Sequence, residues 1–136
     1  MLTVTLADAR LFLHVLAATI WVGGQIALAG LVPALRRSGA EIPKVAARAF
    51  ARVAWPAFAV LIITGLWNIQ ADHQEISDVS DFRNTLIAKL VFVVLSGVTA
   101  FAHSRATSRR GQAVWGAGTG IFALLALFYG IVLSHG

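Results

Sequence analysis

The chain has 136 residues, of which 58% are hydrophobic and 12% charged, with a formal net charge of +5 and no cysteine. This composition belongs to membrane proteins rather than to soluble globular domains, and it excludes any disulfide. The excess of Lys and Arg reads as a topology signal and as attraction to anionic lipid head groups; nothing in the chain argues for nucleic acid.

Four apolar stretches follow one another, at about residues 11–35, 53–69, 85–102 and 113–134. Each is near the ~20 residues needed to cross ~30 Å of hydrocarbon. The expected fold is all-α, an integral membrane antiparallel four-helix bundle forming a single four-span transmembrane domain over residues 1–136. The first stretch lacks the basic start and small-residue cleavage site of a secretory signal peptide, so it is expected to stay in the mature protein. Pro33 is expected to close this span. Ile42 and Pro43 open an amphipathic segment, and residues 44–52, with Arg48 and Arg52 one turn apart, extend the second helix along the interface. Pro56 then falls near the start of the second span, where a missing N–H is tolerated.

Charge sets the expected orientation. The first loop carries Arg36, Arg37, Lys44, Arg48 and Arg52 against Glu41, and the third carries Arg105, Arg109 and Arg110. The second loop reverses this, with Asp72, Glu75, Asp78 and Asp81 against Arg83. Both termini and the acidic loop are therefore placed outside and the basic loops in the cytoplasm, as in a bacterial-type plasma (inner) membrane. Gly23, Gly24, Ala27 and Gly30 on the first span and Gly116, Gly118 and Gly120 on the fourth mark faces of close helix packing, which also make a homodimer conceivable.

Polar residues inside the spans mark candidate sites. The first helix presents His14, Ala17, Ala18, Trp21 and Gln25 on one face. The second presents Thr64 and Asn68, with His73 just beyond, and the third presents Lys89, Ser96 and His103 on one stripe. The fourth carries Thr119, Tyr129, Ser134 and His135. Lys89 and His103 lie about 21 Å apart along a helix at ~1.5 Å per residue, so they cannot serve one small centre. With the expected orientation, His14, Asn68, His73, Lys89 and His135 share the outer half and His103 the cytoplasmic end.

Each residue also has a plainer role. His14 can hydrogen-bond a neighbouring helix, and Lys89 can snorkel to the interface. His73 and His135 can be boundary histidines, and His103 can flank the basic loop. Trp21 lies deep enough to pack against a ligand or a helix, while Trp55, Trp67 and Trp115 suit the aromatic belts.

The run Leu13-His14-Val15-Leu16-Ala17-Ala18-Thr19-Ile20-Trp21-Val22-Gly23-Gly24 resembles the first-helix signature of copper-resistance protein D (CopD)-like membrane proteins. The likeness continues in Arg48-Ala49-Phe50-Ala51-Arg52, in Thr64-Gly65-Leu66 and in Leu86-Ile87-Ala88-Lys89-Leu90-Val91. The same skeleton is similar to HemJ-type protoporphyrinogen oxidases, four-helix proteins implicated in binding haem b. That similarity implies His14 and Lys89 as haem-associated residues; Trp21, Asn68 and His103 are further cofactor-binding candidates from their places on the spans. The CopD likeness implies copper instead, for which His14, His73 and His135 are the candidate ligands.

Copper(I) passage usually employs thiolate or thioether ligands, yet the chain has no Cys and only Met1. Haem b suits the inventory better, because an axial His in an apolar helical interior is a common way to hold it. A HemJ-like oxidase would bring more tyrosine than Tyr129 alone, and CopD proteins of resistance systems are longer. The expected function is therefore haem b or metal binding in the outer half of the bundle, non-enzymatic, for electron transfer or cofactor handling with a quinone or other redox partner. Copper transport or tolerance ranks second, and a HemJ-like oxidase or a structural membrane subunit third.

Overall fold

The structure, a computed structural model, describes residues 1–71 and 80–135. Among them every regular element is helical, and four helices are long and apolar enough to cross a membrane: Leu6–Ser38, Ile42–Ala71, Ser80–Arg105 and Arg109–His135. The all-α class and the integral membrane character expected from the sequence are what the structure has. His73 and the acidic residues Asp72, Glu75 and Asp78 lie outside the described residues.

The first span is built from α1 (Leu6–Ala18), a π-helical turn (Thr19–Gly23) and α2 (Gly24–Ser38). Its start is fixed by a capping box: Asp8 N–H donates to Thr5 Oγ1 at 3.3 Å, and Thr5 N–H donates to Asp8 Oδ2 at 2.8 Å. The π turn has a local cause. Thr19 Oγ1 donates to the Val15 carbonyl at 2.8 Å, which the Thr19 backbone N–H also approaches. Such side-chain back-bonding loosens a helix, and the Gly23-Gly24 pair that follows lets the backbone underwind at little cost. Two consecutive residues of this turn, Trp21 and Val22, are buried, and Trp21 packs on α3 (Ile42–Ala71) through Trp55 and Phe58.

One proline position differs from the sequence expectation. Pro33 does not close the first span, because the helix runs on to Ser38. The proline removes one backbone donor, while Arg36 and Arg37 in the last turn complement the negative end of the helix dipole and Ser38 Oγ donates to the Ala34 carbonyl at 3.3 Å. Residues 44–52 continue the second helix as expected, so Pro56, three residues into the apolar stretch, lies in the interior of α3. Within α2 and α3 the lost donors are tolerated as they are in membrane helices generally.

The chain divides into two compact units, Met1–Ala71 and Asp72–Gly136. In the first, α2 turns sharply into α3, with Gly39 N–H donating to Arg36 O at 3.3 Å and Ile42 N–H to Gly39 O at 3.2 Å. The resulting pair is antiparallel: His14 meets Thr64, Trp21 meets Phe58 and Gly24 meets Phe50. The second unit pairs α4 (Ser80–Arg105) with α5 (Arg109–His135), again antiparallel, Phe92 meeting Tyr129 and His103 meeting Gln112.

Packing is the reverse of a soluble domain. The buried residues are mostly small or hydroxylated, Ala17, Ala54, Ala57 and Thr64 in the first unit and Ser96, Thr99, Thr119, Ala123 and Ala126 in the second. The large side chains Phe12, Ile63, Leu66, Val94, Phe101 and Phe128 are exposed. In lipid an outward Leu or Phe gains nothing by moving inward, so helix association depends on close van der Waals contact and interhelical hydrogen bonds, which small residues permit.

Candidate functional site

The first helix pair holds a polar centre that its sequence positions turn by turn. Residues Arg10, His14, Ala17 and Trp21 follow helical spacing along the face of α1 turned to α3, where they meet Trp67, Thr64 and Phe58. His14 is half-buried, and its Nδ1 lies 2.9 Å from Thr64 Oγ1. Thr64, 3% exposed, directs its single hydroxyl proton to the Val60 carbonyl at 2.7 Å. Its oxygen is thus the acceptor toward His14, so Nδ1 carries the imidazole proton. In the neutral ring the lone pair then lies on Nε2, the arrangement in which a histidine ligates a metal while a neighbour holds its other nitrogen. The ring rests against Gly65, whose missing side chain leaves His14 Cε1 in ordinary contact distance, 3.5 Å from where a Cβ would stand.

Below this centre Trp21, 3% exposed, is packed by protein, with Phe58 at 4.4 Å and Trp55 at 5.5 Å between ring centroids. In the described structure it packs the first two spans together two turns along from His14. Asn68 is half-buried one turn beyond Thr64. Sequence reasoning passed over Arg10, which lies outside the apolar run. Its guanidinium stands 5.8 Å from the centre of the Trp67 ring, and its buried Nε has no hydrogen-bond partner among the described residues. The signal was present: Arg10 precedes His14 by four residues, one turn on the same face. Gln25, on the expected face, carries the other unpartnered buried side-chain nitrogen among the described residues.

The second helix pair has its own polar stripe. Lys89 is half-buried, and its ammonium lies 3.3 Å from where a Cβ on Gly130 would stand, so Gly130 makes the room it occupies. Among the described residues Lys89 forms no ion pair. Phe92 lies 5.5 Å from Tyr129 and 6.2 Å from Phe122 between ring centroids. Ser96, 1% exposed, donates across the pair to the Thr119 carbonyl at 3.2 Å. His103 donates from Nδ1 to the Gln112 carbonyl at 2.8 Å and stacks against Gly116, which fastens the turn between α4 and α5. His135 donates from Nδ1 to the Ile131 carbonyl at 2.9 Å, one turn back, at the helix end.

His14, Trp21, Thr64 and Asn68 belong to the first pair, joined by Arg10. Lys89, His103 and His135 belong to the second, with Lys89 and His103 toward opposite ends of α4 as their spacing requires. Among the described residues no three His, Cys, Asp or Glu side chains come close enough together to hold a metal ion. Comparison with protein-family models, with curated proteins and with solved structures gave no match. The chain is thus defined by its own fold and site: a four-span helical membrane protein whose first helix pair carries a histidine oriented by a buried hydroxyl.

Proposed function

We propose that this protein binds haem b through His14, as a non-enzymatic membrane protein for electron transfer or cofactor handling, in a bacterial-type plasma membrane with the site toward the outer face. The supporting observation is the hydrogen bond from His14 to Thr64, which fixes the tautomer that leaves Nε2 as the donor atom of the neutral ring. The residues that would hold such a group are His14, through a ring nitrogen, with the small Ala17 and Gly65 nearby. When bound, haem supplies one-electron redox chemistry. Of the chain's own residues, Thr64 would keep the His14 ring from rotating by its hydrogen bond, and Trp21 would pack the helix pair on that face.

Lys89, associated with haem by the resemblance to HemJ-type proteins, is a separate candidate on the second pair. Copper handling is the second reading, resting on the CopD likeness and a histidine-only donor set. It has less support, because soft thiolate and thioether ligands are lacking. The test is titration of the purified protein with haem b beside its His14→Ala variant, with helical content followed by circular dichroism. Loss or displacement of the Soret band at unchanged helicity is the expected result. An identical spectrum in the variant removes His14 from any haem site.

A further inference from the structure

The two spans of the first unit disagree about where the apolar layer ends. At one end they match: Arg10, the last charge before the apolar stretch 11–35, meets Trp67 near the close of the stretch 53–69. At the other end they do not. Trp21 packs on Trp55 and Phe58, and Gly24 meets the Phe50 ring, so Arg52, which lies between Phe50 and Trp55 in α3, is bracketed at the level of residues 21–24. That level is the middle of the first apolar stretch, which runs on from Gly24 to Leu35 for a further ~16 Å at ~1.5 Å per residue, about three turns. Beside this apolar continuation of α2, α3 carries Lys44, Arg48 and Arg52, all exposed.

An arginine level with apolar residues is costly unless an anion or water reaches it, and snorkelling along its stem recovers only part of a distance of three turns. The chain has no acid to offer. Lys44 takes Glu41 at 3.8 Å, and Arg48 and Arg52 form no ion pair among the described residues. Asp8 stands at the start of α1, at the opposite end of the pair. Asp72, Glu75, Asp78 and Asp81 follow the far end of α3 in sequence, and no Asp or Glu occurs between residues 82 and 136. A second copy of the chain brings the same shortage at that depth, which leaves lipid phosphate as the abundant anion of a membrane. Trp55, 37% exposed and three residues beyond Arg52, independently marks this level of α3 as head-group layer, where tryptophan is enriched. We propose that Arg48 and Arg52, one turn apart on the exposed flank of α3, hold the phosphodiester of an anionic phospholipid drawn below the general head-group level, so that the hydrocarbon is thinner along α3 than along α2. Two guanidinium forks suit the oxygens of one phosphate, and Phe50, between them in sequence, turns to Gly24 on α2 and leaves that flank to lipid.

The chain has no cysteine, so Ala49→Cys, at an exposed position beside Arg48, accepts a single fluorophore. The labelled full chain is reconstituted in phosphatidylcholine vesicles in which a fixed fraction of the lipid is either phosphatidylcholine or phosphatidylglycerol brominated in its acyl chains, and quenching by each gives the ratio of their association constants. Phosphatidylglycerol is expected to be preferred roughly fivefold. In Arg48→Gln/Arg52→Gln the ratio is expected to fall to near one at unchanged helicity by circular dichroism. Arg48→Lys/Arg52→Lys, which keeps the charge but not the forks, is expected to fall between them. Arg36→Gln/Arg37→Gln, which removes the same charge from the exposed end of α2, is expected to keep the preference, and inorganic phosphate in excess at constant ionic strength is expected not to relieve the quenching. Equal quenching by the two lipids in the parent protein would overturn the site. An equal loss of preference in the Arg36/Arg37 variant would reduce it to the diffuse charge of the loop, and relief by inorganic phosphate would overturn lipid as its occupant.

Discussion

Replacing Thr64 by Val keeps the shape of a side chain that is 3% exposed and removes only its hydroxyl. Two bonds are lost, from His14 Nδ1 at 2.9 Å and to Val60 O at 2.7 Å. The second matters little, because a helix carbonyl keeps its backbone partner. The first leaves a half-buried imidazole N–H without its acceptor, for which deletions in soluble proteins give about 1–3 kcal/mol. In membranes the unfolded reference state also finds partners, and double-mutant cycles there average ~0.6 kcal/mol with a maximum near ~1.7. Because the pair is enclosed by α1 and α3 rather than exposed to lipid, we expect a coupling of about 1 kcal/mol between His14 and Thr64, toward the upper part of that range. Equilibrium unfolding in mixed micelles with increasing dodecyl sulfate, for wild type, His14→Ala, Thr64→Val and the double variant, measures it directly. Thr64→Ser, which keeps the hydroxyl, is expected to retain most of the stability. If the two single losses add to within ~0.3 kcal/mol in the double variant, the hydrogen bond does not hold the ring, and the tautomer argument for Nε2 fails with it.

Other perturbations separate packing from chemistry. A Cβ at Gly24 would run into the Phe50 ring, whereas one at Gly30 meets nothing within 4 Å. Gly24→Ala is expected to lower stability in detergent by about 1–3 kcal/mol and Gly30→Ala to leave it level or raise it by up to ~1 kcal/mol; equal losses at both would refute the close approach of α2 to α3. Ser96→Ala gives up the bond to the Thr119 carbonyl at a cost of roughly 0.6 kcal/mol, while Ser96→Leu overfills a 1% exposed position and should melt well below it. Matching melting curves for those two variants would show that α4 and α5 are not closely packed there. Orientation is open to cysteine labelling, since the chain has none. In intact cells Ser134→Cys is expected to react with a membrane-impermeant maleimide and Ser38→Cys only after lysis, and the opposite pattern would reverse the assigned topology.

Much of the architecture was legible because lipid imposes few rules and the chain follows them. Four long apolar runs leave only helices as spanning elements, and the polar stripe containing His14 and Trp21 follows from spacing alone. What escaped detection depends on interhelical register. Thr64 reads as one hydroxyl among several until the pairing of α1 with α3 brings it to His14. The π turn arises from a side-chain bond at Thr19 that competes with the backbone, which periodicity does not record. Pro33 lies inside its helix because a membrane helix tolerates the lost donor, so a breaker rule framed for water misplaces that end. Arg10 was missed because attention to uncharged runs excludes the first charged residue beside them. His103 and His135 have local structural roles, donating to carbonyls of a turn and of a helix end, which pattern alone does not distinguish from ligation.

The most direct test is a reduced-minus-oxidised absorption spectrum of protein purified from the membrane in mild detergent, with iron and copper measured on the same sample. A sharp α band at the b-type position with stoichiometric iron, lost in His14→Ala, is the expected result. Colourless protein that retains copper, or protein that holds neither and takes up no haem, would contradict haem binding at His14.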